Sequence, residues 1–296
     1  MDRIEGGMIG FVGLGVMGEP MCRNLAQHSG RRIIGFDTTS GPLSRLAQFG
    51  VTAGAALSDL AERCEIIFLS LPSGVELAAV CEAPDGLLAS MRKGQVLVDM
   101  STSPVELTRR LAASFRTRGV RYADAPIART RQAAEAGTLA ITVGADKETF
   151  DLVEPLLKCC GTDVTHCGPL GCGQVVKLLN NMVLIETVIA LSEALALGTR
   201  AGMNAQVLFE ALSKGSADSF ALRNHGVKAV LPGEFPRRAF SSVYALKDLD
   251  YALELAREVG VEAQGAQVAR RLLQQAIDQG HGDEYWPVVS KVINGM

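Results

Sequence analysis

Four groups of residues have types and spacings that could do chemistry. Gly13-Leu14-Gly15-Val16-Met17-Gly18 sets three glycines at the spacing that turns a strand tightly into a helix and lets backbone approach a diphosphate. Asp37, roughly twenty residues on, ends the next apolar run, where a carboxylate can receive the hydroxyls of an adenosine ribose. Lys177, Asn180 and Asn181 interrupt an otherwise apolar stretch; at about 100° per residue Lys177 and Asn181 stand one above the other, with Asn180 beside them. Lys247 and Asp248 sit near the start of a later helical run. An ammonium and two amides inside an apolar helix are expensive without partners, and a polar cleft holding a ligand is the economical reading. The other reading of Lys177, a side chain snorkelling to solvent beside capping asparagines, needs room that buried flanks would deny it.

The elements that must position these groups follow from periodicity. Short apolar runs at 8–12, 32–36, 65–71, 95–100, 121–124, 139–143 and 163–166 read as strands, separated by helical segments such as 19–27, 58–63, 105–119 and 147–157. Such alternation is the pattern of a parallel, doubly wound sheet with ligands at the carboxyl ends of its strands. Leu71-Pro72-Ser73 and Ser101-Thr102-Ser103-Pro104 lie at those ends as candidates for the ribose and nicotinamide side of a dinucleotide; plain turn chemistry would explain them equally. The strand signals stop at the glycines Gly168, Gly171 and Gly173. Beyond them come helices at 204–214, 244–259, 262–279 and 283–293, the second with a buried stripe through Leu246, Leu249, Leu253 and Ala256. The helix that opens this half, within 168–200, is apolar nearly all round and is expected to be buried. The expected division is 1–167, a dinucleotide-binding domain, and 168–296, an all-helical domain for substrate and subunit contacts.

Composition narrows the function. The 296 residues are 48% hydrophobic and 21% charged with a net charge of −3, an ordinary globular chain with no basic footprint for nucleic acid. Lys177, Glu186 and Glu193 break the longest apolar stretch, so no membrane span is expected. The first residues, MDRIEGG, do not read as a leader peptide. Seven scattered cysteines without ligand spacing read as reduced thiols of a cytoplasmic protein, with no metal site. His28, His166, His225 and His281 read as structural or exposed, in turns or at helix ends without an acidic partner at ligand spacing.

Four ordered motifs give the chain a resemblance, over essentially its whole length, to the β-hydroxyacid dehydrogenase family, the group of 3-hydroxyisobutyrate dehydrogenase. They are the Gly13–Gly18 turn continuing through Pro20-Met21 and Asn24-Leu25; Asp124-Ala125-Pro126 with Ala134, Gly137 and Leu139; Gly168, Gly171, Gly173, Lys177 and Asn181; and Lys247-Asp248-Leu249. The resemblance implies an α/β fold, an N-terminal Rossmann-type sheet followed by an all-α domain, and a hydride transfer between a nicotinamide cofactor and a small β-hydroxyacid or its semialdehyde. It implies Lys177 as catalytic acid and base with Asn181 as companion, Lys247 near the nicotinamide, and Leu71, Pro72 and Thr102 along the cofactor beside Gly13, Leu14, Gly15, Val16, Met17 and Gly18. Asp37 followed by Thr38-Thr39-Ser40, with no cation before Arg45, favours NAD over NADP, whose extra phosphate wants a cation there.

The chain departs from the family in one loop. Where most members read Ser-Gly-Gly, it has Ala128-Arg129-Thr130, similar to the sulfolactaldehyde reductase branch. A guanidinium suits carboxylate or sulfonate oxygens, and Ala128, Arg129, Thr130 and Asn180 are accordingly expected, with Lys177 and Asn181, to hold an anionic substrate. A solvated surface arginine is the other reading of Arg129. Two further functional classes share the architecture: a non-catalytic dinucleotide-binding or protein-interaction module, and an imine reductase. Both are expected to lack a lysine at 177. Decarboxylating phosphogluconate-type enzymes have a far longer helical region. The apolar helix is expected to pack partly against a second subunit, making a homodimer or homotetramer, and a cleft between the domains is expected to close over the cofactor.

Overall fold

Apolar runs with no polar side become strands covered on both faces. In the computed structural model, which describes residues 7–237 and 239–295, β1 (Met8–Val12), β2 (Ile33–Phe36), β3 (Thr52–Ala53), β4 (Cys64–Leu69), β5 (Val96–Asp99) and β6 (Arg121–Asp124) lie in the order 3-2-1-4-5-6, each neighbouring pair parallel. Successive side chains point to opposite faces, so Ile66 and Phe68 enter one core while Ile67 and Leu69 enter another. This is the doubly wound sheet expected from the pattern. Residues 1–6, on which the reading of the N-terminus partly rests, lie outside the described residues.

Beyond β6 the sheet changes sense. β7 (Ile127–Ala128) and β6 both pair antiparallel with β8 (Leu139–Gly144), and β9 (Gly161–Gly168) runs parallel to β8. Alternation alone implied parallel pairing throughout. The two-residue strands β3 and β7 are too short to leave a periodic signal.

The chain divides into two compact units, Met1–Lys177 and Leu178–Met296, and the division falls inside the helix Cys172–Arg200. This helix differs from expectation in two ways. It is not buried all round: Leu178, Asn181, Ile185 and Val188 are buried, whereas Val176, Leu179, Val183 and Leu197 are 41, 41, 57 and 71% exposed. Helical periodicity keeps one face off the core whatever its residues are. It is also, by length and composition, apolar enough to cross a membrane, with a mean hydropathy of 1.7 over its most apolar window. Lys177, Glu186 and Glu193 do not prevent that.

In the second unit Ala205–Leu212, Ser242–Glu258, Gln264–Ala276 and Val289–Asn294 are α-helical, and Leu222–Val230 forms a π-helix that no periodic signal announced. The helix expected from 283 begins later, because Glu284 and Tyr285 make bridges to Arg237 and Ser241 before the turn Trp286–Val288. Along Ser242–Glu258 the buried face runs through Ala245, Asp248, Leu249, Ala252 and Leu255; of the expected stripe only Leu249 is fully buried. The face is rotated because it carries Asp248, whose carboxylate has a partner inside. His281 does have an acidic neighbour, Glu284, at 3.2 Å.

His225 lies within the π-helix, its Nδ1 2.6 Å from the Tyr285 hydroxyl and its ring 5.5 Å from that of Trp286. Burial, helped by Lys228, lowers its pKa to about 4. Because the folded state refuses a proton that the unfolded chain accepts below about 6.5, this group's stability is present above that pH and lost as pH falls toward 4, by at most about 3 kcal/mol. Thermal melts between pH 7 and pH 4 should therefore fall more steeply for the wild type than for His225→Gln; parallel curves would show that His225 does not contribute.

Candidate active site

The three glycines of the turn stand in different surroundings. Gly13 has φ +87°, left-handed backbone that favours glycine, and a Cβ there would run into the Ser70 carbonyl. One on Gly18 would run into the Gly13 carbonyl, whereas one on Gly15 would meet nothing within 4 Å. Gly13 and Gly18 thus serve packing, and Gly15 leaves open space where a diphosphate can reach the backbone. Val16 is exposed and Leu14 wholly buried, so Leu14 supports the turn from within. Its N–H donates to Asp37 Oδ2 at 2.6 Å, while Thr39 donates twice to Asp37 Oδ1 at 2.8 Å. Burial works to raise the Asp37 pKa, but these hydrogen bonds outweigh it and hold the carboxyl below its ordinary value. Arg45, the first cation after Asp37, is bound to Glu19 through two 2.7 Å contacts.

At the neighbouring strand ends, Leu71 donates its N–H to Ser101 Oγ at 2.9 Å, which ties together the two loops expected along the dinucleotide. Thr102 is half-buried between Ser101 and Ser103, which are 3 and 0% exposed. Asp99 and Asp124 end β5 and β6 and are both fully buried. Burial pushes Asp99 up to about 6 against hydrogen bonds from Ser101. It pushes Asp124 up to about 7, against the N–H groups of Gly171 and Gln174. Those two groups donate to Asp124 at 2.7 and 2.8 Å, at the very start of the helix that carries Lys177. In the motif expected to bind substrate, the aspartate carboxylate is therefore committed to the chain itself.

Lys177 is half-buried and Asn181, one turn on, is 4% exposed. Asn181 Nδ2 donates to Asp248 Oδ2 at 2.7 Å and its Oδ1 accepts from Asn180 at 3.0 Å. The amide is thereby fixed in one orientation. Lys247 Nζ lies 3.2 Å from Asp248 Oδ1 and over the rings of Tyr244 and Tyr251, at 5.3 and 5.5 Å. Asp248 is a residue that the sequence reading left without a role. Its signal was a carboxylate on the same helix face as Ala245, Leu249 and Ala252, where a lone charge needs a partner.

The loop expected to hold the substrate makes several contacts within the chain. Ala128 is paired with Ala140 in the sheet, and Thr130 Oγ1 caps the helix Arg131–Ala136 by accepting from Ala133 N. Arg129 donates to the Thr138 carbonyl at 2.6 Å, Thr162 Oγ1 at 3.1 Å and Asp163 Oδ2 at 2.7 Å. Its φ of +87° is unique among the described non-glycine residues. The guanidinium expected to clamp an anion thus meets Asp163 at the surface, with the two side chains 42 and 58% exposed.

Residues 8–168 match the family model described as the NAD binding domain of 6-phosphogluconate dehydrogenase, and residues 171–290 that of the NAD-binding of NADP-dependent 3-hydroxyisobutyrate dehydrogenase. The chain is 34% identical to 2-(hydroxymethyl)glutarate dehydrogenase of Eubacterium barkeri, across 97% of this chain and 95% of that one. It is 31% identical to NAD-dependent L-serine dehydrogenase of Pseudomonas aeruginosa, across 97% of each. Among solved structures it resembles Mycobacterium tuberculosis 3-hydroxyisobutyrate dehydrogenase with L-serine, with a TM-score of 0.89 and 29% identity, covering 97% of this chain and 99% of that one.

The Arg129 geometry has a measurable consequence. With the guanidinium held by β9, Arg129→Ala is expected to leave KM for carboxylate and sulfonate hydroxyacids within roughly twofold of the wild type, the range of lost rim contacts rather than of a lost clamp. A tenfold rise on either class would return Arg129 to the substrate.

Proposed function

The chain belongs to the β-hydroxyacid dehydrogenase family, and we propose that in it Lys177 exchanges a proton with the substrate hydroxyl while Asn181 orients the reacting group. It is an oxidoreductase that uses NAD and passes a hydride between that cofactor and a small β-hydroxyacid or its semialdehyde. The observation that carries the proposed roles is the fixed amide of Asn181 one turn beyond a half-buried lysine, on a helix whose start is held by Asp124.

The residues fit the dinucleotide: open space at Gly15 would admit a diphosphate, and the depressed carboxyl of Asp37 suits ribose hydroxyls. Gly13, Leu14, Val16, Met17 and Gly18 shape that turn, and Leu71, Pro72, Thr102 and Lys247 complete the proposed cofactor contacts. When bound, NAD supplies the two-electron acceptor. In the oxidising direction Lys177, as the neutral amine, takes the hydroxyl proton onto Nζ while the carbinol carbon loses hydride. In the reducing direction its ammonium stabilises charge on the carbonyl oxygen and returns the proton. Asn181, held by Asp248 and Asn180, presents one face of its amide to substrate without the entropy cost of choosing a rotamer.

The substrates named for the relatives, 2-(hydroxymethyl)glutarate, L-serine and 3-hydroxyisobutyrate, all join a primary hydroxymethyl group to the carbon that bears a carboxylate. The proposed substrate has that same unit, a hydroxymethyl beside a carboxylate, with Asn180 and the loop Ala128-Arg129-Thr130 as further contacts. The exposed apolar residues Val176, Leu179, Val183 and Leu197 favour a second copy of the chain over this helix, in a homodimer or homotetramer. Seven free thiols suit a cytoplasmic enzyme.

Lys177→Ala is expected to lower kcat by roughly two to four orders of magnitude, the usual share of proton transfer, while NADH affinity by fluorescence titration stays near the wild-type value. Near-normal kcat would remove Lys177 from the mechanism. Asp37→Ser is expected to narrow the preference for NAD by improving KM for NADP, since it removes a carboxylate that repels the extra phosphate; an unchanged ratio of kcat/KM between the two cofactors would show that selection lies elsewhere.

A further inference from the structure

We propose that Gln174 and Asp124 are positioning residues that couple the loop carrying Thr102 to Lys177, so that a dinucleotide seated on that loop sets the amine in its working place. This rests on Lys177 as the proton-exchanging group.

The link is continuous and buried. Gln174 is 0% exposed, and its side-chain amide is used at both ends: Oε1 accepts from Ser103 N at 3.2 Å and Nε2 donates to the Ser101 carbonyl at 2.8 Å. It therefore brackets Thr102 on both sides. The same loop is braced from below by Asp99, which accepts from Ser101 N at 2.9 Å, Tyr122 Oη at 3.3 Å and Ser103 Oγ at 3.5 Å. Asp124 holds the helix start through Gly171 N and Gln174 N. The approach is so close that a Cβ on Gly173 would lie 2.5 Å from the Thr142 carbonyl and 2.7 Å from Asp124 Oδ2. Thr142 Oγ1 adds a bond to the Gly173 carbonyl at 3.1 Å.

Gln174 and Lys177 are three residues apart on one helix, hence on one face. The side chain that grips the loop and the one that carries the amine move as a unit. An apolar residue of similar size would fill the space of Gln174 without desolvating an amide, and would permit the helix to slide against the loop. Two directional bonds do not. The glycines Gly171 and Gly173, which stood in the sequence as spacing without a stated task, are what let the helix start come close enough for this grip.

Gln174→Met and Asp124→Asn are assayed with NAD and 3-hydroxyisobutyrate, L-serine and 2-(hydroxymethyl)glutarate, each substitution also in a Lys177→Ala background. Displacing a reacting group by about an ångström is expected to cost roughly tenfold to a hundredfold in kcat, with KM moving less than about threefold. In the Lys177→Ala background the same substitutions should change the residual rate by less than about twofold, because the group they position is gone. A full loss that persists without Lys177, or a folded Gln174→Met enzyme with kcat within about twofold of wild type, overturns the proposal. Should Asp124→Asn fail to fold, Gln174→Met still decides, since it leaves both Asp124 bonds in place. On the wild-type protein, NADH should raise hydrogen-exchange protection at Gly171, Gln174 and Ser103; unchanged protection there overturns the coupling. A Lys177→Ala enzyme that keeps its rate would sink the lysine's role instead, and the exchange measurement then judges the coupling alone.

Discussion

A carboxylate with no access to water holds the first amides of the helix that carries Lys177. Asp124 ends β6, and its two oxygens take the N–H groups of Gly171 and Gln174. Burying a carboxylate is costly unless hydrogen bonds satisfy it, and the first amides of a helix are groups that otherwise lack partners. Each need answers the other. The result fixes where the helix begins and, through its regular rise, the height of Lys177 near its start. Asp99 acts in the same way at the end of the adjacent strand β5, where it shapes the Ser101–Ser103 loop.

A second buried acid does comparable work in the helical unit. Asp248 receives the Asn181 amide at 2.7 Å and has Lys247 within 3.2 Å. A hydrogen bond to a charged group contributes about 1.5–3 kcal/mol, enough to keep the amide from flipping. Lys247 is itself set between two tyrosine rings, whose faces attract a cation. Two residues assigned separate tasks by their position in the chain are thus joined through a third.

The loop at 128–130 shows how tertiary context redirects a side chain. Arginine there has the chemistry to bind an anion, but β9 brings Asp163 and Thr162 to its guanidinium. It also adopts a backbone conformation that glycine holds more easily. Thr130 caps a helix and Ala128 pairs in the sheet, so the loop is tied to the chain on both sides of Arg129.

Much of this was legible in the amino-acid sequence because it depends on neighbours along the chain. Gly13, Gly15 and Gly18 stand between a strand and a helix, and each apolar run of the first six strands announced itself, except β3, which is two residues long. The pairing of Lys177 with Asn181 follows from helical spacing alone. What the sequence left open depends on residues far apart in it. The antiparallel turn of β8, the rotated face of Ser242–Glu258, the Asp248–Asn181 bond across 67 positions and the Asp124–Gln174 bond across 50 were decided only in three dimensions. Periodicity reports which face of an element is apolar, whereas a buried polar group goes wherever the folded chain offers it a partner.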